Sequence, residues 1–170
     1  ITIVLYTSVS FAESTYSKIE NGAELFNNKK YEDALKKFND ALVDQPDNSE
    51  LKYNLGNTYY KLKNYENAEK EYYDVLNTTK DNKLKEQIYY NLGNTNFRQG
   101  KLNEAEDFYK KALELIPDDK DAKYNLEYVQ KEIKKKEEEQ KQDNKGKDKD
   151  KNKKDKDKSE QNDQKKGENK

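Results

Sequence analysis

Six residues of this chain occur twice: Tyr53-Asn54-Leu55-Gly56-Asn57-Thr58 returns as Tyr90-Asn91-Leu92-Gly93-Asn94-Thr95. A repeat constrains architecture more than any single motif, because each unit must solve the same burial problem against its neighbour. Aligned on this run, Gly22, Gly56 and Gly93 coincide, as do Tyr31, Tyr65 and Leu102. Ala34, Ala68 and Ala105 follow, then Phe38, Tyr72 and Tyr109, then Ala41, Val75 and Ala112. Pro46, Lys80 and Pro117 close the units, and the steps between units are 34 and 37 residues. Within each unit the apolar spacing is helical. Leu51, Leu55, Tyr59 and Leu62 make one stripe, and Tyr65, Ala68, Tyr72, Val75 and Leu76 make a second that faces it. The third unit supplies Ile88, Leu92, Leu102, Ala105, Phe108, Ala112, Leu113 and Leu115.

Two antiparallel helices per unit satisfy this pattern, with turns at Lys63-Asn64 and Gly100. A helix-interior glycine costs about 1 kcal/mol against alanine. Its return in all three units points to a neighbouring backbone that comes very close. The whole resembles the tetratricopeptide repeat, in which a leucine–glycine pair and an aromatic mark the first helix and an alanine, an aromatic and an alanine mark the second. The resemblance implies an all-α fold: an α-solenoid of three helix pairs at about 15–48, 49–82 and 86–119, with a capping helix at about 119–138.

Some positions depart from the pattern. Asn21 stands where Leu55 and Leu92 stand, and Leu25 replaces Tyr59, as suits a terminal unit with one open face. Asn96 takes the place of Tyr59 in the third unit, with Phe97 next door as a substitute aromatic and a question over the register. The three extra residues fall near Asp81 to Lys85 and lengthen either a helix or the loop before it. After Pro117, Asp118-Asp119-Lys120-Asp121 is a carboxylate-rich helix start. Tyr124-Asn125-Leu126 then begins a fourth unit, Val129 and Ile133 continue its stripe, and no second helix follows.

Composition divides the chain. It is 31% hydrophobic and 41% charged, but from Gln140 onward it has no apolar residue. The packed part is thus about 14–138, and 139–170 is a Lys/Asp/Asn/Gln-rich tail expected to be disordered. Residues 141–170 hold 12 Lys and 8 acidic residues, a net +4 against −5 for the rest. Such a tail reads as a solvated spacer or as a weak electrostatic contact with a membrane surface or acidic partner. Its Asp residues interrupt every basic run and it has no aromatics to stack on bases, so no nucleic acid is expected. Asp148, Asp150 and Asn152 have the spacing of a calcium loop, but Lys153 stands where the turn needs glycine and Glu160 is out of register, so no metal is expected there.

The chain has no Cys and no His, which removes thiol nucleophiles, imidazole bases and the usual zinc ligands. With no phosphate-cradling glycine loop either, it reads as a scaffold, not an enzyme, and no cofactor or catalytic residue is assigned. It also lacks Met, so Ile1 is not expected to be the native start. Residues 1–12 are apolar and end in Ser10-Phe11-Ala12, like a truncated signal peptide, with a membrane anchor as the rival reading.

The expected binding surface is the concave face lined by the first helix of each unit. Pointing away from the core stripe are Tyr53, Asn54, Asn57 and Tyr60, then Tyr90, Asn91, Asn94, Phe97 and Arg98, then Tyr124 and Asn125 of the cap. Amides in a row can pair with the main chain of an extended peptide, since each offers a donor and an acceptor. The alternative is that these Asn bridge neighbouring helices. The carboxylate clamp known in the family needs Lys and Asn in the first unit and Lys and Arg in the third. Here those places hold Ile19 and Ala23, then Gln87 and Asn91, and only Asn54 fits, so capture of a C-terminal carboxylate by that clamp is not expected.

A narrower resemblance covers nearly the whole chain. The leader, three repeats, the cap Asp121-Ala122-Lys123-Tyr124-Asn125-Leu126-Glu127 and the tail look like the BatC-type tetratricopeptide proteins of the bacterial aerotolerance (Bat) operon. That implies an exported protein of the periplasm or cell envelope, membrane-anchored if the leader is uncleaved. It would assemble with membrane partners bearing von Willebrand A-type domains in a role linked to oxidative stress. The competing reading is a surface-associated protein held by its Lys-rich tail on anionic lipid or another polyanion.

Overall fold

The structure, a computed structural model, describes residues 13–141. The expectations for the leader at 1–12, for the tail beyond 141 and for the Asp148 to Glu160 spacing lie outside the described residues. Among those residues there are seven helices and no strand. They run α1 (Thr15–Asn27), α2 (Tyr31–Asp44), α3 (Ser49–Lys61), α4 (Tyr65–Thr78), α5 (Asn82–Arg98), α6 (Leu102–Leu115) and α7 (120–141). α1 packs on α2, α3 on α4 and α5 on α6, while α2 and α4 also meet the first helix of the next pair. This is the all-α solenoid that the repeat implied. α7 continues past the expected tail boundary at 139.

Local chemistry sets the helix ends. Side-chain oxygens of Ser14, Asn48, Asn64, Asp81 and Asp119 accept from backbone N–H groups two or three residues on, satisfying donors that a helix start leaves orphaned. Each intra-pair turn needs one left-handed residue, and the equivalent positions Lys29 (φ 61°), Lys63 (φ 61°) and Gly100 (φ 77°) supply it. The three extra residues enter mainly as helix. α5 has 17 residues against 13 in α1 and α3, while the loop before it, at 79–81, is one residue shorter than that at 45–48.

The core follows the predicted stripes. Ala34, Phe38, Ala41, Leu51 and Leu55 are buried in one cluster, and Ala68, Tyr72, Val75, Ile88 and Leu92 in another. The glycines need a different account from the one expected. What approaches them is an aromatic ring of the same unit, not backbone. A Cβ on Gly22, Gly56 or Gly93 would lie 2.6 Å from a ring carbon of Phe38, Tyr72 or Tyr109 respectively.

Two other departures have a physical explanation. Asn96 is itself buried, with its Nδ2 donating to the carbonyl of Leu92, and Phe97 stands in the register of Tyr60 instead of replacing Tyr59. No slip of register occurs, since Gly93 meets Tyr109 as Gly56 meets Tyr72. Asn21, at the place of Leu55, turns to a polar cluster on the open first unit, where its amide donates to Glu13 and Ser17 and Lys37 pairs with Glu13.

The described residues form two compact units that divide after Leu126. The second, from Glu127, is in its described part the rest of α7, with Val129 buried and Ile133 half-buried. Among the described residues no helix is long and apolar enough to cross a membrane.

Candidate functional site

Tyr53, Asn57 and Tyr60 share one face of α3 at steps of four and three residues, and Tyr90, Asn94 and Phe97 repeat that face on α5. Asn91 of α5 donates from Nδ2 to both Asn57 Oδ1 (3.0 Å) and Tyr53 Oη (3.1 Å). Tyr72 Oη donates to the same Asn57 Oδ1 (2.8 Å). One unit later the arrangement recurs. Asn125 Nδ2 donates to Asn94 Oδ1 (3.1 Å) and Tyr90 Oη (3.1 Å), and Tyr109 Oη donates to Asn94 Oδ1 (2.7 Å).

Each network ties both helices of one unit to the first helix of the next. Burial pushes the Tyr72 and Tyr109 hydroxyls well above the usual phenol range, which keeps them donors. Six of the eleven residues expected on the groove (Tyr53, Asn57, Tyr90, Asn91, Asn94 and Asn125) thus also hold the units in register.

The scaffold uses only part of their capacity. An amide has two N–H donors and an acceptor oxygen with two lone pairs. Among the described residues, Asn91 and Asn125 spend their donors and keep Oδ1, while Asn57 and Asn94 spend Oδ1 and keep Nδ2. Tyr53 and Tyr90 accept and still hold a hydroxyl proton.

Asn54 differs. By the repeat it is the equivalent of Asn91, but the unit before it offers Ile19 for Tyr53, Ala23 for Asn57 and Phe38 for Tyr72. The polar partners are replaced together, so the Asn54 amide joins no such network. It is half-buried, and its main-chain carbonyl accepts from Thr58 Oγ1 at 2.7 Å. Phe97 is half-buried, Arg98 exposed, and Tyr124 68% exposed.

Two concavities flank this row. One, of about 270 Å³, is lined by Tyr53, Glu86, Gln87, Tyr90, Asn91, Asp119 and Asp121. Glu86 is only 5% exposed and among the described residues forms no hydrogen bond or ion pair; burial, with the Asp119 charge second, raises its pKa. The other, of about 260 Å³, is lined by Tyr60, Lys61, Lys63, Tyr65 and Arg98. There the Tyr60 hydroxyl bonds Arg98 and holds its guanidinium pKa up, the Tyr60 and Tyr65 ring centroids lie 5.8 Å apart, and Lys61 Nζ sits 5.9 Å from the Tyr60 centroid. Glu86 and Arg98 are twelve residues apart on α5, or about 18 Å along its axis.

Sequence reasoning had not placed Glu86, Asp119, Asp121, Lys61, Lys63 or Tyr65 on this face. Glu86 was within reach of the same argument, since it lies four residues before Tyr90 and so on the same side of the helix. Among the described residues no group of acidic side chains is arranged to hold a metal ion.

Two family models match the chain, one described as tetratricopeptide repeat over residues 47–118 and one as TPR repeat over 22–63. Together they span 22–118, more than half of it, from within α1 to just past the end of α6. The chain is a tetratricopeptide-repeat protein. No match is found among the curated proteins.

Solved structures of the same fold are numerous. The first TPR domain of human RPAP3 is 26% identical with a TM-score of 0.64, covering 73% of this chain and 95% of that one. The first TPR of Spaghetti (RPAP3), bound to an HSP90 peptide, is 23% identical with a TM-score of 0.62, covering 74% and 98%. The type III secretion chaperone SycD of Yersinia enterocolitica, in complex with a peptide of the translocator YopD, is 20% identical with a TM-score of 0.62, covering 75% and 99%.

Proposed function

We propose that this tetratricopeptide-repeat protein is a non-catalytic scaffold that takes an extended segment of a partner protein along the face formed by α3, α5 and the start of α7. The observation that carries the reading is the surplus on that face: Asn54 is outside the inter-unit networks, and the residues inside them keep alternating unused donors and acceptors. Such a row matches the alternating N–H and C=O groups of an extended main chain, and tyrosines beside it add contact area at low entropic cost. Similar domains with peptides bound, Spaghetti and SycD, support it by analogy of fold. The groove does not carry the Lys and Arg of a carboxylate clamp, so the segment is expected to be internal and not a chain terminus.

The experiment is a selection of displayed random peptides on the immobilised full chain, followed by calorimetry with the best binder. Asn54→Ala removes an amide that the fold does not use. It is expected to weaken binding roughly two- to tenfold, the worth of one net hydrogen bond, with no fall in Tm. Undiminished affinity would reject the groove. Binding that survives Asn54→Ala but collapses with added salt would instead favour the Lys-rich tail on a polyanion.

The finer placement rests on the resemblance to BatC-type proteins: an exported envelope protein assembling with von Willebrand A-type membrane partners in a complex linked to oxidative stress. Its test is whether the chain co-purifies with such a partner from envelope extract, and whether Asn54→Ala weakens that association.

A further inference from the structure

The acidic concavity occupies the part of the groove where a carboxylate clamp would keep its third-unit cations, since Gln87 and Asn91, which hold those two places, line it. Here the charge is reversed. Glu86, Asp119 and Asp121 supply three carboxylates, and no Lys or Arg is among the lining residues. Asp119 Oδ1 is engaged in capping α7 through the Ala122 N–H, and Asp121 is exposed. Glu86 is the unusual member, because a glutamate this deeply covered normally has a charged or hydrogen-bonding partner, and among the described residues it has none. Tyr53 and Tyr90 complete the lining. Carboxylates and tyrosines lining one concavity are what a cation needs. The volume, about 270 Å³, is below the ~300–1,000 Å³ usual for small-molecule sites and suits one side chain.

We propose that this pocket receives a lysine or arginine side chain of the partner segment that the groove binds. The assignment rests on the groove reading and specifies its partner: a segment with a basic residue at the α5 N-terminal end. Glu86 is the means of recognition. Among the described residues its charge has no counter-ion, and it gains one on binding, whereas a neutral or acidic residue entering there leaves it unpaired.

The test uses two capped heptapeptides of glycine and serine with one central position, arginine in one and its neutral isostere citrulline in the other. Both are titrated into the isotopically labelled full chain by NMR. The arginine peptide is expected to shift the amides of residues 86–91 and 119–121 saturably, and to bind at least about fivefold more tightly than the citrulline peptide, a factor worth about 1 kcal/mol. Glu86→Gln, which keeps the shape, should bring the two peptides to equal affinity, and Asp121→Asn should narrow the gap. Glu32→Gln on exposed α2 should leave it unchanged.

Equal binding of the two peptides to wild type, or a full preference retained in Glu86→Gln, overturns the proposal. So does an equal loss in Glu32→Gln, which would mean attraction to net charge alone. A full-length variant with the lysines of 142–170 changed to glutamine should bind the arginine peptide as wild type does. Tighter binding would mean that the chain's own tail is the occupant and would also overturn it. The display selection separates the two readings. Selected peptides that lose affinity in Asn54→Ala but not in Glu86→Gln leave the groove standing and remove the pocket, and peptides indifferent to both remove the two together.

Discussion

Gly56 shows how one atom sets the geometry of a unit. A Cβ there would lie 2.6 Å from the Tyr72 ring, and the hydroxyl of that ring is fixed on Asn57. Gly56→Ala gains about 1 kcal/mol of helix propensity. It also displaces a buried ring, an overpacking cost of about 1–3 kcal/mol, and strains the bond to Asn57. The expected outcome is a net loss of stability in urea denaturation; a variant more stable than wild type would show that the ring can move at no cost.

Glu86 makes the opposite case. Its folded pKa is raised, so the folded chain holds its proton more tightly than the unfolded chain does. The resulting penalty is absent at pH values below the ordinary glutamate range and grows as pH rises through the raised value. Glu86→Gln should therefore have a higher Tm than wild type near pH 7, and the difference should shrink as pH falls to about 4. A variant less stable than wild type near pH 7 would mean that the carboxylate has a partner after all. At this scale the sequence showed which residues recur but not what they touch. The spacing placed Gly56 in a helix and required a close neighbour, yet it could not say that the neighbour was a ring. Asn91 read as a groove residue, with a bridge as the alternative, and it is a bridge with an oxygen to spare.

Helices were the most legible level. The apolar stripes at three- and four-residue steps put α3 and α4 in place with turns at Lys63-Asn64 and Gly100, and the structure adds that Lys63 and Gly100 carry the left-handed backbone of those turns. The residues added before the third unit became helix because Asp81 caps α5 a turn earlier than a strict repeat would start it. The crossing of α3 and α4 depends on small residues. Ala68 has no exposed surface, and Ala68→Leu should destabilise by about 1–3 kcal/mol as the helices are forced apart. Unchanged denaturation midpoints would contradict the packing described for this pair. What periodicity could not supply was the charge of the groove ends. The carboxylates come together only when α5 and the α7 start are side by side, and their separation of more than thirty residues in sequence hides that.

At the scale of the whole molecule, repetition gives both stability and a binding face. The same Tyr–Asn–Asn–Tyr network is built twice, and where the first unit replaces its members with Ile19, Ala23 and Phe38 the pattern stops and Asn54 is left over. The central claim is that this face, and not the outer helices, takes the partner. Side-chain amide signals of asparagine report it directly in the NMR spectrum of the full chain titrated with a selected peptide. The account predicts saturable shifts for Asn54, Asn57 and Asn94, and none for Asn39, Asn77 and Asn103, which are exposed on α2, α4 and α6. Shifts confined to those outer amides, or to the asparagines beyond residue 141, would contradict it.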